Sequence, residues 1–250
     1  MIGIAQHGPV QEIKLQRPPV NALNDELLEA LEAAVLAAPS RGARAIVISG
    51  GEKAFSGGLD VPYLMGLDRN GLKRCWSRFF AAARAIAASP VPTAAAIGGH
   101  NPAGGCVLAL CCDYRVMARG PFRMGLNETQ VGLAVPDAIQ YLLRRVCGAH
   151  KAERLVVAGA MPDAQACLEL GMVDALADVE HVVTAAVNWA NELLALAPGP
   201  MLATRKLARA ELVTALSAFN DAHLETFIEG WYSADTQAAL DLVMQKLGKK

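Results

Sequence analysis

Aromatic residues make up only 5% of this 250-residue chain, and neither sign of charge is in excess: 23 Lys and Arg stand against 24 Asp and Glu, for a formal net charge of −1. That balance lacks the electrostatic footprint of a nucleic-acid binder or of a protein drawn to an anionic membrane, and leaves room only for a local basic patch. Few aromatics beside 53% hydrophobic residues, with Ala and Leu prominent, argue against a β-sandwich or a disordered chain and for a helix-rich α/β protein. The most apolar stretch, Ala103 to Cys112, ends at Asp113 and Arg115. It falls far short of the ~20 residues of a membrane span.

Several chemical signatures are missing as well. No glycine leads into Lys-Ser or Lys-Thr in the frame of a phosphate-binding loop, and the first strand-to-helix turn has no G-x-G-x-x-G. Ser49 and Ser56 both lack the leading glycine of a hydrolase elbow. The histidines at 7, 100, 150, 181 and 223 are scattered, so no metal site is expected. Six cysteines (75, 106, 111, 112, 147 and 167) contain no C-x-x-C pair and read as reduced core residues, not as a disulfide or zinc framework. Met1 leads toward the strand-like Val10 to Leu15 without the basic flank and apolar run of a signal peptide, and Leu247-Gly248-Lys249-Lys250 is no S-K-L address. A cytoplasmic location is the expectation.

What is present alternates strand and helix signals. Val10–Leu15 reads as a strand, and Asn24 caps a helix predicted over 25–37 that Pro39 and Gly42 end. Ala45–Ile48 is a short buried strand, 71–88 a long helix, Thr93–Ile97 a strand, 106–110 a short apolar helix and Tyr114–Met117 another strand. From Pro136 onward the pattern is almost wholly helical, broken at Gly171-Met172-Val173-Asp174 and at Pro198-Gly199-Pro200. The expected organisation is a β/α core over 1–195 and a helical region over 196–250. Its apolar faces suit oligomerisation and cover of a site.

Two glycine-bearing loops, 50–60 and 98–105, each follow a predicted strand. Glycine lets a main-chain N–H approach a ligand closely, and a helix N-terminus adds a positive dipole end. About twenty residues later stands Glu128, in Gly125-Leu126-Asn127-Glu128-Thr129-Gln130. Backbone donors for an oxyanion and one nearby carboxylate are the parts for proton transfer on an acyl substrate. By spacing alone, Glu128 is as readily a surface or capping carboxylate, because Asn127 and Thr129 are cap-type residues.

Ala54-Phe55-Ser56-Gly57-Gly58-Leu59-Asp60, Pro90 to Ile97, Pro102-Ala103-Gly104-Gly105-Cys106, Cys112-Asp113-Tyr114-Arg115 and Gly171 to Asp174 occur in one order. Together they resemble the crotonase superfamily of enoyl-CoA hydratases and isomerases, over the chain to about residue 176. Within it, the 102–106, 112–115 and 125–130 segments look most like the mitochondrial-type Δ3,Δ2-enoyl-CoA isomerases. The resemblance implies an α/β fold with a crotonase-type ββα spiral core and a C-terminal helical region, assembled as a homotrimer or hexamer. It implies an acyl-CoA thioester substrate, with coenzyme A part of that substrate and no separate cofactor. It also implies an oxyanion hole from the N–H groups of Leu59 and Gly104, coenzyme A contacts at Ala22, Gly57, Gly58 and Asp60, and Glu128 as the catalytic acid/base. The hydratases of this family use a second glutamate three residues after the oxyanion glycine. That position is Val107, so the expected reaction is isomerisation with one proton carrier, the alternatives being enoyl-CoA hydration, dienoyl-CoA isomerisation or acyl-CoA binding without catalysis. Gly98 stands where the family commonly has asparagine. His100 and Asn101 are expected as polar loop contacts, Asp60 and Asp113 as turn anchors, and Trp76, Phe79 and Phe80 as helix packing.

Overall fold

A strand covered on both faces reads as a nearly continuous apolar run, and the middle strands of this protein do, with one polar residue each, Ser49 and Thr93, at an end. In the computed structural model, which describes residues 1–247, every residue of the strands Ala45–Ser49 and Thr93–Ile97 is buried. Gly248, Lys249 and Lys250, the end of the predicted helical region and of the sequence read against an S-K-L address, lie outside the described residues.

The chain opens with β1 (Ile2–His7) and β2 (Val10–Leu15), an antiparallel hairpin turned at Gly8. Next come α1 (Asp25–Ala37), β3 (Ala45–Ser49), α2 (Val61–Met65), α3 (Arg69–Ala87) and β4 (Thr93–Ile97). They are followed by β5 (Asn101–Pro102), α4 (Gly104–Leu110), β6 (Tyr114–Ala118) and β7 (Met124–Gly125). After the 3-10 turn Glu128–Val131 come α5 (Asp137–Cys147), α6 (Ala149–Ala158), α7 (Ala164–Leu170), β8 (Ala175–Ala177) and α8 (Val182–Leu194). The last stretch is α9 (Pro198–Ala208), α10 (Ala210–Ala218), α11 (Asp221–Trp231) and α12 (Ala234–Leu247).

Strand order in the main sheet is β1-β2-β3-β4-β6-β8, parallel throughout except for the first hairpin. Alternate residues divide the sheet into two faces. Ile46, Ile48, Ala95, Ile97 and Met117 face the large core shared with α1, α3 and α4, whereas Ala45, Val47, Ala94, Ala96 and Val116 face α8. β5 and β7 form a separate two-stranded parallel sheet, which aims the turn into α4 away from the main layers.

Capping residues set several helix starts. Asn24 accepts from the Leu27 N–H (3.1 Å), and Asp68 accepts from Gly71 (2.7 Å), which moves the start of α3 back to Arg69 from the predicted 71. α4 begins at Gly104, two residues before the predicted start, because its glycines are helical and not loop residues. Four strands escaped the sequence reading: the two-residue β5 and β7, and β1 and β8 of the main sheet. β1 is an edge strand with Ile4 half exposed, and β8 is three partly buried residues paired to β6, inside the stretch expected to be almost wholly helical. All six cysteines are free and buried.

Asp113 fastens the last helices to the core. It accepts from the Thr93 N–H (2.7 Å) and receives Arg205 (2.8 Å) and Arg209 (2.8 Å). Those guanidinium groups also cap the carbonyls of Ala87, Ser89 and Cys111 at the ends of α3 and α4. Burial alone would raise the Asp113 carboxyl, but the two guanidinium groups outweigh it and hold the group below the usual carboxylate range. The expected turn anchor thus reaches about ninety residues along the chain, to α9 and α10.

Candidate active site

The segment before α1 and the loop before α2 meet through a parallel bridge. Leu23 donates to the Gly58 carbonyl (2.7 Å) and accepts from the Asp60 N–H (3.0 Å). In a parallel bridge those two bonds use the groups on either side of Leu59, so the Leu59 N–H points the other way. It has no acceptor among the described residues. Across from it, Gly104 is the first residue of α4, whose N–H no helical carbonyl can reach. A Cβ added to Gly104 would stand 3.5 Å from the Leu59 nitrogen. The two free donors are therefore near neighbours.

The turn between them is strained in a way that serves this placement. Ala103 sits at φ 47°, ψ −121°, in a region that side-chain-bearing residues avoid, and its N–H is held by the Gly125 carbonyl at 2.8 Å. Gly58, at φ +81°, is pressed so close to this turn that a Cβ would lie 3.1 Å from Ala103 Cβ.

Both donors open onto a cavity of about 440 Å³, also bordered by Ala22, Gly57, Asp60 and Glu128. Gly58 is not among its lining residues. Its left-handed backbone, at φ +81°, shapes the loop that carries Leu59. Asp60 accepts from Tyr63 N–H (3.1 Å) at the start of α2 and pairs with Arg17 at 2.6 Å, so it anchors the loop at the cavity mouth. Trp76 and Phe79, expected to pack in preference to lining an acyl tunnel, also line the cavity, whereas Phe80 stacks on Phe219 outside it. His100 is a loop contact, accepting from the Arg123 N–H (3.2 Å).

Glu128 opens the 3-10 turn that Gly132 closes at φ +79°. Its side chain is only 6% exposed, and Oε2 has no hydrogen-bond partner. Burial pushes its pKa up to about 7, so the group can hold or release a proton near neutrality. The Thr236 hydroxyl of α12 donates to the Gly132 carbonyl (2.6 Å) and Thr129 donates to Val156 (3.3 Å), clamping the turn from two sides. Val107 is fully buried and does not line the cavity. Asp60 is the only other carboxylate there, and it is committed to Arg17.

Sequence reasoning missed the far wall. Leu133 and Ile139 follow the Glu128 turn, and Trp231 and Val243 come from α11 and α12. A tryptophan at helical spacing in an apolar region carries no local mark of a site. Leu133 and Trp231 also border a second, mostly apolar cavity of about 740 Å³ between the 132–138 segment and the last helices. Asp178, Glu180 and His181, the only cluster of three potential metal ligands among the described residues, are exposed and border neither cavity.

Comparison with known proteins now decides the family. A family model described as enoyl-CoA hydratase/isomerase matches residues 5–247. The chain belongs to the enoyl-CoA hydratase/isomerase family. It is 30% identical to mouse mitochondrial enoyl-CoA delta isomerase 1 over 254 residues, covering 99% of this chain and 87% of that one. It is 34% identical to a "probable enoyl-CoA hydratase" of Mycobacterium avium over 184 residues, 72% of this chain and 70% of that one. Among solved structures, human mitochondrial delta3-delta2-enoyl-CoA isomerase superposes with a TM-score of 0.94 at 26% identity, over 99% of this chain and 98% of the other. The fold is the crotonase fold. Among the described residues no helix is long and apolar enough to cross a membrane.

Proposed function

We propose that this protein is a Δ3,Δ2-enoyl-CoA isomerase. The reading rests on one observation: Glu128 is the single uncommitted carboxylate in a cavity bordered by two free main-chain donors. Ionised Glu128 removes a proton from C2 of a 3-enoyl-CoA. The electron pair left behind delocalises over C2 to C4 and the thioester oxygen, where the Leu59 and Gly104 N–H groups receive the negative charge. The protonated Glu128 then delivers its proton to C4, and the double bond ends between C2 and C3. Nothing is oxidised or reduced, and no water is consumed. A raised pKa suits both halves, because the group must be a base first and an acid second.

The thioester oxygen and coenzyme A would lie toward Ala22, Gly57 and Asp60, and an acyl tail would run along Trp76, Phe79 and Trp231. Hydration is the reading favoured by the mycobacterial relative. It needs a second acid/base to orient water, and Val107 is an apolar core residue. Purified protein given 3-enoyl-CoA is expected to yield 2-enoyl-CoA, and to hydrate supplied 2-enoyl-CoA at most slowly. Rapid hydration with the 3-enoyl substrate untouched overturns the proposal. Acyl-CoA binding without turnover of either substrate assigns a binding role in its place.

A further inference from the structure

Asn101 is fully buried, and neither its Nδ2 nor its Oδ1 has a hydrogen-bond partner among the described residues. A side-chain amide stripped of water and left unpaired costs free energy at both its nitrogen and its oxygen, so an apolar residue of similar shape would be the stable choice for such an unpaired group. The location gives the amide a use. A Cβ on Gly105 would lie 2.3 Å from Asn101 Oδ1, 2.9 Å from Ser56 Cβ and 3.0 Å from the Ser56 carbonyl oxygen. The Asn101 amide, Gly105 and Ser56 therefore meet at one point, between the loop that carries Leu59 and the turn that carries Gly104.

That junction has little else to hold it. The Leu59 loop is tied to the segment before α1: Ser56 Oγ donates to the Asn21 carbonyl (2.8 Å), Gly57 to Val20 (2.7 Å), and Asp60 to Leu23 (3.0 Å). The Gly104 turn is tied to β7 and the residue before it, with Asn101 donating to Arg123 (2.9 Å) and Ala103 to Gly125 (2.8 Å). The last bond joining loop to turn is Phe55 N–H to the His100 carbonyl at 2.9 Å. Among the described residues no hydrogen bond joins 56–60 to 101–105, and the Ser56 carbonyl accepts none. An amide's nitrogen and oxygen exchange places by a half-turn about its last torsion, which carries Nδ2 to the side where Oδ1 stands.

We infer that Asn101 is a positioning residue, whose Nδ2–H bonds the Ser56 carbonyl and fixes the spacing of the two donors that receive the thioester oxygen. The inference rests on the oxyanion role given above to Leu59 and Gly104. Spacing errors of a fraction of an ångström matter little to a neutral carbonyl but weaken stabilisation of an enolate. The strut should therefore affect reaction and leave substrate binding almost alone.

The test compares wild type with Asn101→Val and Asn101→Ala, each checked for thermal unfolding. Two ligands are titrated: a saturated acyl-CoA, and a 3-ketoacyl-CoA whose bound enolate is read by its ultraviolet absorbance. The expected result is that Asn101→Val stays folded, with saturated acyl-CoA affinity within about twofold of wild type, and with enolate-form affinity and kcat at least tenfold lower. Asn101→Ala should lose enolate affinity in the same ratio even if a cavity lowers its stability. Unchanged enolate affinity in either folded variant overturns the strut, as does an equal loss for both ligands. If wild type binds the saturated ligand but forms no enolate, the oxyanion role fails and the strut with it. Hydration in place of isomerisation would leave this readout intact, so the two proposals fail separately.

Discussion

The two walls of the cavity are built from different materials. On one side the functional atoms belong to the main chain: the N–H groups of Leu59 and Gly104, placed by a parallel bridge, a helix start and a strained alanine. On the other, Trp231 and Val243 come in on α11 and α12, helices that reach the core through side chains such as Thr236 and through the Arg205 and Arg209 pairs on the helices before them. Glu128 stands between, on a turn gripped by α12 through Thr236 and by α6 through Thr129. A donor made of backbone cannot be substituted, only displaced. A wall made of side chains can be retuned one residue at a time, so chemistry is expected to follow the first wall and substrate preference the second.

The sharpest probe of that division is Glu128→Gln. The amide keeps size and burial but cannot take the C2 proton. Turnover of 3-enoyl-CoA should fall by about 10³-fold or more, while saturated acyl-CoA binds as before. Gly104→Ala tests the backbone wall directly. Its Cβ would lie 3.1 Å from Leu23 Cδ1, 3.2 Å from Phe79 Cε2 and 3.5 Å from the Leu59 nitrogen, filling space between the donors. Steady-state kinetics should show kcat about 10²-fold lower, the scale of one lost oxyanion donor, with the unfolding midpoint near wild type. A variant with normal kcat would mean the donors are not where the charge develops.

The same difference explains what the sequence revealed. Gly57-Gly58-Leu59-Asp60 and Pro102-Ala103-Gly104-Gly105 are legible because tight backbone geometry needs glycine, and glycine is visible in any sequence. The helix over 25–37 and the strand over 93–97 are legible through a cap and an apolar run between breakers. β1 was not, because Gly3 and an exposed Ile4 blur the alternation of an edge strand. Trp231 was not, because its partners Leu133 and Trp76 lie about one hundred and more residues away, and no local pattern encodes such a meeting. Trp76 and Phe79 show the limit most plainly. Helical spacing correctly buries them, but only tertiary contact reveals that the surface they bury against is a cavity.

A third probe uses pH. Burial raises Glu128 to about 7 from the ordinary 4.5 of a glutamate. Between those values the folded protein holds a proton that the unfolded chain has released, so stability is full below 4.5 and is lost as pH rises through about 7. A shift of that size corresponds to about 3 kcal/mol. Urea unfolding should find Glu128→Gln more stable than wild type at pH 8 by roughly that amount and nearly equal at pH 4.5. Activity runs the other way: kcat/KM should rise with pH through about 7 and then level, because the base must be ionised to start. Catalytic competence and stability thus oppose each other at one carboxylate.

The smallest expected effect tests the side-chain wall through its fastening. Asp113→Asn keeps the shape of the group that receives Arg205 and Arg209 but removes its charge. The guanidinium groups keep their carbonyl partners at Ser89, Ala87 and Cys111, so the latch weakens without coming apart. A loss of about 2 kcal/mol in urea unfolding at pH 7 is expected, the scale of a hydrogen bond to a charged group. Because the arginines hold the Asp113 carboxyl below the usual carboxylate range, its contribution is present above that range and disappears as pH falls through the lowered pKa. The gap between wild type and variant should therefore narrow in acid. Kinetically, α9 and α10 precede the helices that carry Trp231 and Val243 to the cavity, and neither touches the Leu59 and Gly104 donors. A looser latch should raise KM for long acyl chains by a few-fold and leave kcat for short ones unchanged. If kcat for short chains falls as far as it does in Gly104→Ala, the two walls are not independent, and the last helices set the spacing of the donors as well.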